Sequence, residues 1–238
     1  TERWELERAI NANTAAVAYH DSRSGGIGAL GFDTMVDVAH ANGLPVIVDA
    51  ASTLPPAHHL RTWIARGADL VIYSGGKGIR GPQDSGLLAG RADLIAAARA
   101  NGNPHAAVGR GMKVSKEAMA GLWMALTMLP EIDHEGELAA RQAQAGRLRD
   151  VLIERDDLSI EIEDDWDMWP APVVQITPRR GAWKPAGVRD ALKQGDPPIH
   201  VDVRRGRLQI STHMLLPGQE LIVAERIEQI LAEGGSSR

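Results

Sequence analysis

The feature that most restricts the fold of this sequence is a pair of short apolar runs, one helix apart, that each lead to a charged residue. Residues 45–50 form the first run and include Asp49, and residues 71–74 form the second run and lead into Lys77. Apolar, β-branched runs of this length are typical of buried strands, and the stretch between them suits a right-handed β-α-β unit. Because open α/β sheets bind ligands at the carboxyl ends of their strands, we expect Asp49 and Lys77 to face one crevice.

A lysine and a carboxylate that face one crevice favour a specific cofactor chemistry. A lysine amine that is shielded from water loses its proton more readily and can form a Schiff base with a carbonyl group. A carboxylate at the next strand end can keep a pyridine nitrogen protonated through a charge-assisted hydrogen bond. This is the arrangement that pyridoxal phosphate requires, with Ser74 and the backbone N–H groups of residues 75–78 as candidate donors to its phosphate.

Other interpretations apply to the same residues. A P-loop requires Ser or Thr after its lysine and an earlier glycine, whereas this chain has Gly78 and Val71 at those positions, so a P-loop is excluded. Asp49 as a metal ligand remains open, although no second carboxylate or histidine follows it closely. A purely structural role, with Asp49 as a helix cap and Lys77 as a solvated turn residue, also remains open.

Three segments give the chain a family resemblance. They are residues 46–51, residues 67–77 with Ser-Gly-Gly-Lys, and residues 80–88 with Gly-Pro-Gln. These segments resemble the core of the fold-type I pyridoxal phosphate-dependent enzymes, and within them the group around the bacterial seryl-tRNA selenium transferase and the D-glucosaminate-6-phosphate ammonia lyases. The resemblance continues through residues 109–117 and, more loosely, to the end of the chain.

The resemblance implies a role for each candidate site residue. Lys77 is expected to bind pyridoxal 5'-phosphate and to move protons as the catalytic acid or base, with Asp49, Ser52 and Ser74 as further cofactor-binding residues. Arg110, which lies in the resembling stretch 109–117, is expected to hold an anionic group of the substrate or cofactor and is counted as a substrate-binding residue, because a planar guanidinium suits such a group. The alternative for Arg110 is a solvated position at the entrance of a helix. No metal site is expected.

The resemblance also implies a fold and an assembly. Residues 1–105 are expected to be part of the cofactor-binding large domain, an α/β unit with a mostly parallel sheet, and residues 106–238 a linker helix and a small C-terminal α+β domain. Members of the family have a long stretch before this point, so the chain is expected to be truncated at its N-terminus. In the family the loop at residues 81–83 commonly reaches the neighbouring subunit's cofactor, which implies a homodimer or a higher homo-oligomer.

The implied activity acts on a small substrate that carries an amine. In the likeness to ammonia lyases, an amino acid or amino-sugar acid loses its α-proton and then a β-hydroxyl group, and ammonia is released. The alternatives are selenium transfer to seryl-tRNA, which uses the same elimination, and a non-catalytic scaffold that keeps the fold.

Composition sets the remaining limits. With 238 residues, 44% of them hydrophobic, the chain can bury a substantial core. Its net charge of −5 gives no general attraction to nucleic acid, so tRNA is possible as a partner but is not favoured. It has no cysteine, no run of membrane-spanning length and no visible signal peptide, so a cytoplasmic protein without membrane contact is expected.

The rest of the pattern predicts helices and strands around this centre. Helices are expected near residues 32–42, 57–66, 91–100, 117–128, 131–155 and 217–231, and further strands at 15–20, 86–90, 158–163, 172–177, 200–204 and 208–211. Residues 22–31 are expected to form a loop. Adjacent His58 and His59 are poorly placed to share a metal, and His40 and His213 are expected at the surface. The acidic residues within 161–167 are expected to be a solvated strand end, with Trp166 and Trp169 as packing or interface residues.

Overall fold

The computed structural model describes residues 1–20, 29–164 and 171–234. The chain divides into two compact units, Thr1–Ile132 and Asp133–Arg238. The sequence placed the boundary after residue 105, and the two divisions differ in the helix Lys116–Met128, whose Leu122 and Ala125 pack against the core of the first unit. This helix therefore belongs with the first unit by its packing.

The first unit alternates helices and strands. In chain order its elements are α1 (Arg3–Ala9), β1 (Val17–His20), α2 (Phe32–Ala41), β2 (Val46–Asp49), α3 (His59–Ala65), β3 (Leu70–Ser74), β4 (Gly86–Gly90), α4 (Ala92–Asn101) and α5 (Lys116–Met128). The four strands form one sheet in the order β1-β2-β3-β4. Strands β1, β2 and β3 are parallel, and β4 returns antiparallel beside β3, so the expected α/β class with a mostly parallel sheet is confirmed.

One face of this sheet carries the core of the first unit. Alternate strand residues, among them Val46, Val48, Val71 and Tyr73, are buried there, as the two-residue side-chain period of a strand dictates. They share one hydrophobic cluster with residues of α2 and α3, among them Phe32, Met35, Val36, Ala39 and Trp63. The two crossover helices thus lock the register of the strands, because a shift by one residue would move these side chains to the other face.

The described residues of the second unit form an antiparallel sheet and three α-helices. Its elements are α6 (His134–Leu152), β5 (Leu158–Glu163), β6 (Val173–Pro178), α7 (Pro185–Lys193), β7 (Asp202–Arg204), β8 (Arg207–Ser211) and α8 (Gln219–Ala232). The strand order is β5-β6-β8-β7, and each neighbouring pair is antiparallel. The expected strands and the hairpin at Arg205-Gly206 are present, with positive φ at both turn residues. Helix α7 was not predicted, although Pro185 at its start and buried Val188 and Leu192 are helix signals.

A buried carboxylate holds the start of α8 against α6. Glu220 is only 1% exposed and accepts hydrogen bonds from Nε of Arg147, Nε2 of Gln144 and the backbone N–H of Gly218 at 2.8, 3.1 and 2.9 Å. Burial alone would raise the pKa of Glu220, but these hydrogen bonds and the helix backbone outweigh burial and hold the pKa below its ordinary value. This network was not foreseen, because Gln144 and Arg147 lie more than 70 positions from Glu220 in the chain.

The helices of the described ranges are all too short or too polar to cross a membrane.

Candidate functional site

The structure places Asp49 and Lys77 at the same edge of the first sheet. Asp49 is the last residue of β2, and Lys77 lies three residues after Ser74, the last residue of β3. Because β2 and β3 are parallel neighbours, their carboxyl ends open to one side. One carboxylate oxygen of Asp49 accepts the backbone N–H of Ala51 at 3.0 Å, which fixes the orientation of the carboxylate.

The Lys77 amine is held by a hydroxyl group from the neighbouring strand end. Its Nζ donates a hydrogen bond to Oγ of Ser52 at 2.9 Å. Ser52 follows Asp49 by three residues, so this bond joins the segment after β2 to the turn after β3. Lys77 is exposed in the part of the chain that the structure describes, so these residues do not supply the shielding from water that the sequence analysis assumed.

The turn that carries Lys77 has a tightly fitted backbone. The backbone N–H of Gly75 donates to the carbonyl of Ser85 at 2.9 Å, and the carbonyl of Gly75 accepts the N–H of Gly81 at 2.7 Å. A Cβ atom on Gly76 would lie 2.6 Å from Cα of Gln83, which no side chain can tolerate. The Gly75 N–H, one of the predicted phosphate donors, is therefore already used by the protein.

Behind the Asp49 segment, a chain of buried hydrogen bonds fixes the path of the backbone. The carbonyl of Thr53 accepts a hydrogen bond from Nδ1 of His59 at 2.7 Å, and the carbonyl of His59 accepts the hydroxyl of Tyr73 at 2.8 Å. Burial raises the pKa of Tyr73 to about 12, so this hydroxyl keeps its proton at physiological pH. His59 thus supports the segment between Asp49 and α3, a role that its position in the sequence did not reveal.

The other predicted site residues occupy separate places. Ser74 is half-buried and pairs with Gly86 in the sheet. Arg110 is exposed and makes no side-chain hydrogen bond to Asp49, Ser52 or Lys77 among the described residues. No group of three acidic or histidine side chains in the described ranges is arranged to hold a metal ion.

The acidic segment of the second unit is tied into its sheet where the structure describes it. Oε2 of Glu161 accepts a hydrogen bond from Nη1 of Arg207 at 2.8 Å, and the same Nη1 atom donates to Oε1 of Gln175 at 2.8 Å. Four other predicted residues of this segment lie outside the described residues, namely Asp165, Trp166, Asp167 and Trp169, as does most of the predicted loop at 22–31.

A second charged cluster, missed by the sequence analysis, lies at the opposite edge of the first sheet. Asp69 stands just before β3, is 8% exposed, and accepts hydrogen bonds from the backbone N–H of Val46 at 2.8 Å, from Nε2 of His40 at 2.9 Å and from Nη1 of Arg91 at 3.0 Å. Burial alone would raise the pKa of Asp69, but these three hydrogen bonds outweigh it and hold the pKa below its ordinary value. The predicted surface residue His40 therefore joins α2 to the start of β3.

Comparison with known proteins identifies homologues that span the candidate site. No protein-family model matches the chain. The chain is 42% identical over 164 residues to D-glucosaminate-6-phosphate ammonia lyase of Salmonella typhimurium, and this match covers 68% of this chain and 41% of that protein. It is 31% identical over 244 residues to a 5'-C-glycyluridine monooxygenase-decarboxylase of a Streptomyces species, with coverage of 100% and 59%. An L-seryl-tRNA(Sec) selenium transferase of Solidesulfovibrio magneticus is 28% identical over 262 residues, with coverage of 94% and 54%.

Solved structures show the same relationship. A D-glucosaminate-6-phosphate ammonia lyase structure superposes with a TM-score of 0.69 at 30% identity and covers 99% of this chain and 62% of that chain. A serine palmitoyltransferase of S. paucimobilis with bound PLP and myriocin has a TM-score of 0.60 at 15% identity, with coverage of 98% and 59%, which shows a shared fold. The chain spans about half the length of the curated relatives that it matches.

Proposed function

Since the chain belongs to the fold-type I pyridoxal phosphate-dependent enzymes, with homologues among the ammonia lyases and selenium transferases, we propose that Lys77 carries pyridoxal 5'-phosphate in the whole protein. The proposed reaction is of the ammonia-lyase type: removal of the α-proton from an amino acid or amino-sugar acid, followed by β-elimination. The observation that carries this proposal is the position of the Lys77 amine. Its Nζ atom lies 2.9 Å from Oγ of Ser52, at the edge of the sheet where β2 ends with Asp49.

The residues at this edge carry functional groups that the cofactor requires. The turn around Lys77 contains Gly75, Gly76 and Gly78, which let its backbone pack closely against Ser85, Gln83 and Leu54 and leave Lys77 as the side chain that residues 75–78 present to a ligand. When bound, pyridoxal phosphate withdraws electrons from the carbon that bears the substrate amine. The chain supplies the amine that anchors the cofactor and the carboxylate that faces the same edge.

Each proposed site residue has a defined task. Lys77 takes the proton from the α-carbon and returns it to the leaving group as general base and then general acid. Ser52 accepts a hydrogen bond from Nζ of Lys77 and so orients the amine. Asp49, oriented by the N–H of Ala51, accepts a hydrogen bond from the pyridine nitrogen of the cofactor. Ser74, at the end of β3, donates to the cofactor phosphate.

For the substrate, we propose that Arg110 binds a carboxylate or phosphate group. The guanidinium of Arg110 is exposed, and a planar fork of donors matches either anion with two parallel hydrogen bonds. The substrate is a small molecule with an amine, in keeping with the 42% identical ammonia lyase.

Two other activities are favoured by specific relatives. Selenium transfer to seryl-tRNA is supported by the 28% identical transferase, which would make tRNA a partner. Oxidative decarboxylation is supported by the 31% identical monooxygenase-decarboxylase, whose match extends along the whole chain. The three activities differ in what an assay would detect. The lyase releases ammonia, the transferase incorporates selenium into tRNA, and the monooxygenase-decarboxylase consumes oxygen and releases carbon dioxide. A non-catalytic scaffold would do none of them.

We further propose that the protein is a cytoplasmic homodimer or higher homo-oligomer. The lack of cysteine removes any dependence on an oxidising compartment. Helix α5 exposes an apolar side to solvent; Trp123 is 76% exposed, and its exposed neighbours are Met119, Met124 and Met128. Contiguous exposed apolar side chains of this kind are typical of protein contacts, which supports α5 as part of the subunit interface.

The test of the proposal uses the full-length protein. Addition of pyridoxal phosphate is expected to produce a visible absorption band, and borohydride reduction followed by peptide mapping is expected to find the cofactor on Lys77. Lys77→Ala is expected to abolish both signals, whereas Lys113→Ala, which removes another exposed lysine, is expected to retain them. A band that persists in Lys77→Ala, or no band in the wild type, would refute the assignment. Ammonia release from phosphorylated amino-sugar acids then tests the reaction.

A further inference from the structure

The loop after the Lys77 turn folds back and contacts that turn through a side-chain amide. Nε2 of Gln83 donates a hydrogen bond to the backbone carbonyl of Gly76 at 3.0 Å. Gly76 is the residue immediately before Lys77, so this bond holds the peptide group from which the lysine extends. The space above Gly76 is filled by Gln83, because a Cβ atom on Gly76 would lie 2.6 Å from both Cα and Oε1 of Gln83.

Helix α5 supports this loop from behind. A Cβ atom on Gly121 would lie 2.7 Å from Cγ of Pro82, and one on Gly81 would lie 3.4 Å from Cα of Leu122. The hydroxyl of Ser85 donates to the carbonyl of Pro82 at 2.6 Å and closes the loop on itself. The loop is therefore packed against α5 on one side and bonded to the Lys77 turn on the other.

The Lys77 turn needs such an external contact because its own residues restrict it little. Glycine has access to more backbone conformations than any other residue, and three glycines surround Lys77. The Gly75 bonds to Ser85 and Gly81 fix the start of the turn, and the Gln83 bond fixes the carbonyl next to the lysine.

We propose that Gln83 is a positioning residue for Lys77: its amide fixes the Gly76 carbonyl and thereby directs the lysine amine towards Ser52. The inference rests on the proposed function for its catalytic meaning, since it concerns the lysine that binds the cofactor. Gln83 is exposed, so water replaces its hydrogen bond at little cost to global stability. A small displacement of a reacting group nevertheless has a large effect on its chemistry.

The test compares Gln83→Glu and Gln83→Ala with the wild type in the full-length protein. Glutamate keeps the length of the side chain and, when ionised, has no proton to donate to the Gly76 carbonyl. Gln194→Glu is the matched control, because Gln194 is an exposed glutamine in the second unit. The first readout needs no cofactor: the rate at which acetic anhydride acetylates Lys77, relative to Lys113 in the same sample, is measured by peptide mass spectrometry. The second readout is the pH midpoint of the visible band of the lysine-bound cofactor.

Both Gln83 variants are expected to change the Lys77-to-Lys113 acetylation ratio by about twofold or more and to shift the pH midpoint, while the melting temperature stays close to that of the wild type. Gln194→Glu is expected to change none of these. An unchanged acetylation ratio in Gln83→Glu overturns the proposal, as does a loss of melting temperature without any change in that ratio. If the wild type binds no cofactor, the proposed function fails, and the acetylation ratio still decides the role of Gln83.

Discussion

The Nζ atom of Lys77 lies 2.9 Å from the Oγ atom of Ser52, and this hydrogen bond links the segments that follow two adjacent parallel strands. The bond is exposed, so its contribution to global stability is small, on the order of 1 kcal/mol or less. Its importance lies in the direction that it gives to the lysine amine.

Removal of the Ser52 hydroxyl is expected to slow attachment of the cofactor to Lys77. In Ser52→Ala the amine loses its acceptor and samples more orientations, so we expect the rate of appearance of the visible band to fall by roughly threefold to tenfold. Ser52→Thr keeps a hydroxyl and is expected to retain most of the rate. The measurement is stopped-flow absorbance after mixing the cofactor-free protein with pyridoxal phosphate; equal rates in Ser52→Ala and wild type would contradict the prediction.

Gly78 is expected to tolerate no side chain. A Cβ atom there would overlap the carbonyl oxygen and Cβ of Leu54, so Gly78→Ala must displace the segment after β2 and is expected to cost about 1–3 kcal/mol of unfolding free energy. Gly146, inside α6, has open space where a Cβ atom would lie, with no atom within 4 Å, and Gly146→Ala is expected to stabilise by about 0.5–1 kcal/mol. Urea unfolding measures the unfolding free energy of each variant. The prediction requires a decrease for Gly78→Ala and an increase for Gly146→Ala.

The Asp69 cluster is expected to make stability depend on pH in the acid range. The pKa of Asp69 is lower in the folded chain than its ordinary value of 3.8, so ionised Asp69 stabilises the folded state. This contribution to the unfolding free energy is complete above about pH 4 and is lost as the pH falls through the folded-state pKa. Asp69→Asn is expected to cost about 1–3 kcal/mol at pH 7 and less at pH 3. Asp190→Asn, at an exposed carboxylate on α7, is the control. A cost that does not shrink with acid would exclude this role of the carboxylate.

Glu220 and Arg147 are expected to be energetically coupled. Glu220→Gln removes the buried charge that pairs with Arg147 and is expected to lower the unfolding free energy by about 1–3 kcal/mol. Arg147→Ala is then expected to lower the unfolding free energy less in the Glu220→Gln background than in the wild type. Arg149→Ala, on the same helix but paired with its neighbour Asp150, is expected to show no coupling to Glu220. A double-mutant cycle from denaturant unfolding gives the coupling free energy directly, and a value near zero for Arg147 would show that its 2.7 Å contact adds nothing.

If α5 forms part of the subunit interface, a charge on its exposed apolar side is expected to weaken assembly. Trp123→Glu is therefore expected to lower the molar mass measured by light scattering, while Trp4→Glu, at an exposed tryptophan of α1, is expected to leave the mass unchanged. The same mass for both variants and the wild type would remove α5 from the interface.

The centre of the first unit was predictable from the sequence because local patterns and chain topology determine it. The β-branched runs at 46–49 and 70–74 form parallel neighbours, and β4 returns antiparallel as expected. Helix bounds were less accurate: the helix expected at 131–155 extends only over His134–Leu152, with Asp133 as its cap. Helix α7 was missed although its start at Pro185 was visible in the sequence.

The partners of the site residues were less predictable, since each comes from a distant part of the chain. The sequence named Lys77 and Ser52 as site residues but not the hydrogen bond between them, and Gln83 was visible only as part of a motif. The sequence predicted no structural contact for His40 or His59, yet His40 bonds to a buried aspartate and His59 supports the segment after β2.

The amino-acid sequence alone determined which functional groups lie at the carboxyl edge of the first sheet. Side-chain periodicity and the handedness of β-α-β connections place Asp49 and Lys77 at the same edge once both strands form. Only the tertiary structure decided how these groups are held: Ser52 accepts a hydrogen bond from the Lys77 amine, and the Gln83 amide donates one to the Gly76 carbonyl. The tertiary structure likewise supplied the hydrogen-bond partners of the buried carboxylates of Asp69 and Glu220, each within its own unit. Each of these hydrogen bonds requires two distant segments to be positioned to within a few tenths of an ångström, and no local pattern in a sequence encodes such positions.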